Sequence, residues 1–241
     1  MAPRSKTNYI QWNIRGYYAN LPYLQRILDE YSPTVVSLQE TWLSMKNNVR
    51  IRGYNNIRKD RETKCGGVAL VIRENIPYTN HEINSELEAV LAKIYLGYYY
   101  HIICSIYIPP AQSTEMRKIE NLISQLGNHT LFLGDFNGHH PQWGSPSSDR
   151  REEKISDVIL NMNLALLNNS EHTCITTNGC ISHIDLSINT QIDAYRYLWT
   201  THPQLLGSDH YTIVIQDIVH SPQETAQLSR FLFDRAEWPE Y

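Results

Sequence analysis

Short apolar runs that stop on an acid, an amide or a phenol recur along this chain, and few folds can use that pattern. Leu131-Phe132-Leu133-Gly134 stops on Asp135, and Thr34-Val35-Val36-Ser37-Leu38-Gln39 on Glu40. The run at 9–14 carries Asn13, and the one at 99–107 ends on Tyr107 shortly before Pro109-Pro110. Runs rich in β-branched and aromatic residues, bounded by turn formers, read as strands. Their terminal polar groups then lie where a sheet meets solvent. Further strands are expected at 66–73, 88–96, 130–133, 164–167, 184–188, 197–200 and 211–218, with a hairpin around Asn178-Gly179.

Three segments switch to a helical period. Asn20 is expected to cap a helix whose apolar stripe is Leu21, Leu24, Ile27, Leu28 and Tyr31, with Pro22 in its first turn and Ser32-Pro33 as its stop. Ser113 would cap a second helix with Met116, Ile119, Leu122, Ile123 and Leu126 on one face and Gly127 after it. A third carries Ile155, Val158, Ile159 and Met162. Two strand–helix–strand stretches, each closed by polar strand ends, predict an α/β fold of two sheets packed face to face with helices outside. The pattern breaks down from Ser221. We therefore expect one domain over 1–220 and a tail at 221–241, whose Phe231, Phe233 and Trp238 point to a further downstream region.

A 241-residue chain with 41% hydrophobic and 19% charged residues can bury a full core, which argues against wholesale disorder. Its net charge of −4 is not that of a protein held on nucleic acid by bulk electrostatics alone. The four cysteines form no Cys-x-x-Cys pair, and no disulfide is expected: a two-residue turn at Asn178-Gly179 would set Thr177 against Cys180 and Cys174 against His183. Without a signal sequence or a long apolar run, the expectation is a soluble intracellular protein with no membrane partner.

The polar strand ends suit phosphodiester hydrolysis, which needs an activated water, charge neutralisation on the phosphate and a stabilised leaving oxygen. Glu40 is the leading ligand for a hard oxygen-seeking cation such as Mg²⁺. Asp135 is placed to accept a proton from water, and Asn137, in an extended chain, would point the same way toward a phosphate. His210 of Ser208-Asp209-His210 could donate to the phosphate, with Asp185 fixing its tautomer and Asp209 beside the metal. Tyr107 and Asn13 offer a hydroxyl and an amide at two further strand ends. Arg50, Arg52, Arg58, Lys59, Arg61 and Lys64 form a basic, turn-rich stretch able to follow a DNA backbone. Arg150, Arg151 and Lys154 follow the Asn137 strand end more closely. His139-His140 lacks a third ligand at zinc spacing and reads as loop.

Taken together, Trp12-Asn13, Gln39-Glu40-Thr41, Tyr107-Ile108-Pro109-Pro110, Gly134-Asp135-Phe136-Asn137, Ile184-Asp185-Leu186 and Ser208-Asp209-His210 resemble the endonuclease/exonuclease/phosphatase family. The wording from Gly134 to Gly144, with Ser148-Asp149-Arg150-Arg151 and Leu166-Leu167-Asn168, is similar to endonuclease domains of jockey-like and I-like non-LTR retrotransposons. The resemblance implies a four-layer α/β sandwich of two packed mixed sheets. It also implies a Mg²⁺-dependent enzyme (Mn²⁺ substituting) that nicks double-stranded DNA, in the nucleus after synthesis in the cytoplasm, and leaves a 3′-hydroxyl to prime reverse transcription. Element RNA and a reverse transcriptase region would be its partners. Carried over, Glu40, Asn13 and Asp209 hold the metal; Asp135, His210, Tyr107, Asn137 and Asp185 do the chemistry; Asn137, Asn13, Arg150, Arg151 and Ser182 contact substrate. Two departures stand out. Abasic-site enzymes of the family carry Trp-Asn-x-Asp-Gly, where this chain has Arg15, and they place an aromatic where it has Ser182-His183-Ile184. A repair-type endonuclease or other phosphodiesterase of this fold, and a catalytically silent nucleic-acid-binding module, are the alternatives.

Overall fold

In the first strand, β1 (Thr7–Asn13), residues alternate between the two faces, and each face has its own apolar partner. Ile10 and Trp12 pack outward with Leu24, Ile27 and Leu28 of the helix α1 (Tyr17–Tyr31), while Tyr9 faces a second sheet. The computed structural model describes residues 7–62, 65–110, 116–145, 150–176 and 178–219, with the side chains of 116 and 150–152 excepted. The expected Ser113 cap, the Thr177 position and the tail lie outside these residues.

After α1 come β2 (Val35–Gln39), β3 (Tyr54–Lys59), β4 (Val68–Arg73), β5 (Tyr78–His81), β6 (Glu88–Leu96) and β7 (Tyr99–Tyr107). Then follow α2 (Met116–Ser124), β8 (Thr130–Asp135), a 3₁₀ turn at Pro141–Trp143, α3 (Arg150–Asn161), β9 (Leu164–Leu166), β10 (Cys174–Ile175) and β11 (Ile181–Ser182). The chain closes with β12 (Asp185–Thr190), a 3₁₀ segment Gln191–Arg196, β13 (Tyr197–Thr201) and β14 (Ile213–Asp217). Two six-stranded mixed sheets result, in the orders β13-β14-β1-β2-β4-β3 and β5-β6-β7-β8-β12-β9. Each contains one parallel pair joined by a helix, β1–α1–β2 and β7–α2–β8, as the two strand–helix–strand patterns predict. Tyr9, Leu70, Ile72, Ile94, Ile103, Leu131, Leu133 and Ile215 fill the space between the sheets, and α2 and α3 cover the outer face of the second. The expected four layers are therefore present. No helix among the described residues is long and apolar enough to cross a membrane.

The inter-sheet layer changes character along its length. At one end, Arg196 pairs with Asp193 and Asp217 (both 2.8 Å) and meets His101 Nε2 at 2.7 Å, while His101 Nδ1 lies 2.6 Å from the Tyr9 hydroxyl. This buried network ties the first sheet to the second. Toward the other end, Gln11 donates to the Gly134 carbonyl and accepts from Ser187, and Gln39 donates to Ser37 and Ser105. Buried polar side chains are tolerated because they are hydrogen-bonded, and here the Gln11–Gly134, Gln11–Ser187 and Gln39–Ser105 bonds cross between sheets. They hold the strand ends that carry the chemical groups.

Several sequence expectations need correction. Asn20 does not cap α1. The helix starts at Tyr17 after Gly16, and Asn20 is buried within it, donating 2.6 Å to the Ile14 carbonyl. Pro22 therefore falls beyond the first turn. The basic stretch is not simply turns: Tyr54–Lys59 is an edge strand paired with β4, and Tyr78–His81 is a second edge strand. Their half-buried, polar sequences, such as Tyr-Asn-Asn-Ile-Arg-Lys, are how edge strands discourage further pairing, and they hide the apolar signal. The hairpin turn is longer than two residues, with Thr176 N–H donating to the Cys180 carbonyl and Cys174 opposite Ser182 rather than His183.

Gly134 of β8 pairs with Ile106 of β7, and a Cβ there would stand 2.1 Å from the Ile106 carbonyl oxygen. The two strands would have to separate. Gly134→Ala is expected to destabilise the fold by about 1–3 kcal/mol, read as a lower midpoint in urea unfolding. An unchanged midpoint would contradict this packing.

Candidate active site

Strand register brings the chemical groups together. Tyr107 pairs with Asp135, and Asp135 with Asp185, so β7, β8 and β12 present a phenol and two carboxylates in one row. Paired residues on neighbouring strands share a face. In the first sheet Asn13 pairs with Gln39, which delivers Glu40 one residue later. The Asn13 amide then bridges the sheets, donating to Glu40 Oε1 at 3.1 Å and to Asp135 Oδ2 at 2.8 Å.

His210 closes the set. Its Nδ1 lies 2.8 Å from one Asp185 oxygen and 3.0 Å from the other, both side chains being buried. The peptide around it is pinned: Trp12 Nε1 donates to the His210 carbonyl, and Ser208 Oγ accepts from the His210 N–H while donating to the Asn13 carbonyl. Ligand atoms of Asp135, Asp185 and His210 lie within 4.8 Å of one another. Glu40, Asp135, Asp185, His210 and Asn13 thus converge on one place. Asp209 stands beside them, its Oδ1 3.8 Å from His210 Nε2 and its Oδ2 paired with Arg15.

Burial pushes the Asp135 carboxyl up to about 7, and the Asp185 charge on the next strand adds to this against His210, the Asn137 N–H and Asn13. A carboxyl near neutrality suits a general base. Burial alone would strip the proton from His210. The Asp185 carboxylate outweighs it and raises the imidazole well above its ordinary value, which favours the protonated ring.

Three side chains differ in detail from the sequence reading. Tyr107 donates its hydroxyl to Glu40 Oε1 at 2.9 Å, and burial followed by the Glu40 charge raises its pKa, so it stays a protonated donor held on Glu40. Asn137 is not extended. It has φ 50°, its N–H closes an Asx turn onto Asp135 Oδ1, and its amide donates to the Ile108 carbonyl. Ser182 is buried, one strand further from His210 than Cys174. Of the basic groups, Arg58 pairs with Asp60, Arg61 with Glu88, and Lys59 donates to the Ser85 and Leu87 carbonyls. These three serve the protein's own loops. Lys154 is exposed on α3, while the side chains of Arg150 and Arg151 and all of Lys64 lie outside the described residues.

Sequence reasoning missed two neighbours of the site. Trp42 donates its indole N–H to Glu40 Oε2 at 3.1 Å, with its ring against Gly16, where a Cβ would meet it at 2.8 Å. Its position two residues after Glu40 was the only available signal. Cys174 pairs across a β-bridge with His210, a contact that nothing local announces. Strain marks the site too: Arg15, Glu40, Trp42 and Asn137 all have positive φ at or just after strand ends.

The residues fit a divalent cation. Glu40 takes all three of its side-chain hydrogen bonds from neutral groups, and none of the ion pairs among the described residues involves it. Four carboxylates (Glu40, Asp135, Asp185, Asp209) face two cationic groups (His210, Arg15), an excess of two negative charges when all are ionised.

Comparison with known proteins agrees with this picture. A family model described as endonuclease-reverse transcriptase matches residues 101–214. The RNA-directed DNA polymerase from mobile element jockey of Drosophila melanogaster is 24% identical over 233 residues, covering 94% of this chain and 25% of that protein. The chain thus spans about a quarter of the curated relative's length. Among solved structures, the endonuclease domain of TRAS1, a telomere-specific non-LTR retrotransposon, superposes with a TM-score of 0.78 at 17% identity, covering 88% of this chain and 98% of that one. The AP endonuclease LMAP from Leishmania major gives 0.73 at 11% identity, over 90% and 89%. The fold is the endonuclease/exonuclease/phosphatase fold of these solved structures. The resemblance to endonuclease domains of non-LTR retrotransposons is borne out.

Asp135 supplies a test of the electrostatics. Its raised pKa means that its contribution to stability is complete below its unfolded value of about 4 and is lost as pH rises through about 7. Asp135→Asn removes that charge, so the variant is expected to gain about 1 kcal/mol or more over the parent at pH 8, and nothing at pH 4. Thermal unfolding in chelator across this range measures the difference. Equal melting shifts at both pH values would refute the account.

Proposed function

We propose that this chain is a Mg²⁺-dependent endonuclease that nicks duplex DNA and leaves a 3′-hydroxyl to prime reverse transcription of a mobile element's RNA. The observation that carries the reading is the Asp185–His210 pair set against Asp135, with Glu40 joined through Asn13. Glu40, with Asn13 and Asp209 close by, would hold the cation. Mg²⁺ there would neutralise charge on the phosphate and on the departing oxygen.

The chain's own groups supply the rest. Asp135 accepts a proton from water whose oxygen bonds to phosphorus as the P–O3′ bond breaks, and the departing 3′ oxygen takes a proton from solvent to become a hydroxyl. His210, cationic and oriented by Asp185, donates from Nε2 to a non-bridging oxygen as charge builds there. Asn137 keeps a second amide N–H to offer the same phosphate, while Asn13, buried with both amide protons on Glu40 and Asp135, fixes those two carboxylates. Tyr107 and Trp42 hold Glu40 from both oxygens, so the ligand is set before substrate arrives. Arg150 and Arg151, at the start of α3, would contact the flanking backbone, and Ser182 would support the hairpin beside His210.

An intact-duplex substrate is favoured over an abasic one. Ser182, His183 and Ile184 are all buried, so this segment offers no exposed ring for a flipped-out sugar. We place the catalytic unit at 1–220 and its action on chromosomal DNA in the nucleus, and the likeness to a jockey RNA-directed DNA polymerase supports a link to reverse transcription.

Nicking of supercoiled plasmid in Mg²⁺ is expected to stop in EDTA and return with Mg²⁺ or Mn²⁺. His210→Ala should lower the rate on the order of 10²-fold or more, measured at a temperature where the variant, destabilised by its unpaired Asp185, is still folded. Wild-type rates in the variant would sink the assignment. Faster cleavage of an abasic oligonucleotide than of intact DNA would favour the repair reading, and DNA binding without cleavage the silent-module reading.

A further inference from the structure

Cys174 takes no part in the chemistry above, yet it lies against the catalytic centre. The peptides around it interlock with those around His210: Ile175 N–H donates to the Asp209 carbonyl and Tyr211 N–H to the Thr173 carbonyl. This sets Cys174 opposite His210, with both side chains on one face. Ligand atoms of Cys174, Asp209 and His210 fall within 4.8 Å of one another.

Two further observations point to a ligand there. First, His210 is already arranged as a metal-binding histidine. Asp185 holds Nδ1, and a carboxylate on the far nitrogen is the usual support for an imidazole whose other nitrogen binds zinc. Second, Asp209 Oδ1 is buried with no hydrogen-bond partner in the structure, while its other oxygen is taken by Arg15. The distances need little adjustment. His210 Nε2 and Asp209 Oδ1 are 3.8 Å apart, and two such ligands on tetrahedral zinc would be about 3.4 Å apart.

We propose that Cys174, Asp209 and His210 form a second cation site selective for thiophilic ions such as Zn²⁺, and that its occupation switches the nuclease off. The selectivity follows from donor chemistry. Glu40, Asn13 and the carboxylates offer oxygen to a hard ion, whereas a thiolate and an imidazole prefer a borderline-soft one. Binding forms bonds to Cys174 Sγ, His210 Nε2 and an Asp209 oxygen, and the thiol and imidazolium protons pass to solvent. His210 then has no proton for the phosphate, and Asp209 is drawn toward the second ion. Inhibition by the bound ion rests on the nuclease reading; binding of the ion does not.

Two measurements separate these. Co²⁺ added to the metal-free protein should give a near-ultraviolet thiolate-to-cobalt band at one equivalent. The band should vanish in Cys174→Val and Cys174→Ala and persist in Cys180→Ser. In a plasmid assay in Mg²⁺, micromolar Zn²⁺ should inhibit the parent. The Cys174 variants, checked for an unchanged melting profile, should nick normally and need at least about tenfold more Zn²⁺ for the same inhibition. A band that survives loss of Cys174, the absence of any band, or equal Zn²⁺ sensitivity in parent and variants would overturn the proposal. A Cys174-dependent band in a protein that never nicks would leave the cation site standing and overturn the nuclease reading.

Discussion

Two carboxylates on neighbouring strands, Asp135 and Asp185, are buried almost completely and placed opposite each other. Unrelieved, that arrangement would be ruled out by desolvation and repulsion. His210 makes it tolerable by pairing with Asp185, and the Asn13 amide and Asn137 N–H make it tolerable for Asp135. Each of these partners comes from a different part of the chain. The site is therefore a consequence of the whole sandwich, and it carries an electrostatic load that only a cation or a proton relieves.

The rest of the architecture can be seen as support for that load. At one end of the inter-sheet layer, Arg196, Asp193, Asp217 and His101 form a compensated network between the sheets. Near the site, Gln11, Gln39, Ser37, Ser105 and Ser187 cross-link the sheets with neutral hydrogen bonds. Positive φ at Arg15, Glu40, Trp42 and Asn137 shows the backbone bent to aim side chains rather than to relax. A cysteine buried beside the same histidine means that one constellation can present two faces to metal ions, one of oxygen and one of sulfur and nitrogen.

Much of this was legible in the sequence, for identifiable reasons. The strand ends at Glu40, Asp135 and Tyr107 followed from apolar runs that force the chain into a core and release it on a polar residue. The α1 stripe of Leu24, Ile27 and Leu28 followed from helical period. Its start did not, because Asn20 is as good a buried donor to Ile14 as it would be a cap, and tertiary context chose the former. The strands at Tyr54–Lys59 and Tyr78–His81 escaped because edge strands are half solvated and need no alternating apolar code. Arg58, Lys59 and Arg61 read as a nucleic-acid surface until their partners Asp60, Ser85, Leu87 and Glu88 came into view.

Local order alone determined which residues end strands, that two strand–helix–strand units exist, and which side chains are chemically equipped to cut a phosphodiester. Those properties depend on neighbours a few positions away. Only the tertiary structure decided that Asn13 would bridge Glu40 and Asp135, that Tyr107 and Trp42 would grip Glu40, and that Cys174 would lie against His210. Such contacts join residues as far apart as Trp12 and His210, and they are set by sheet register and by the packing of one sheet on the other. No period or motif in the chain encodes either.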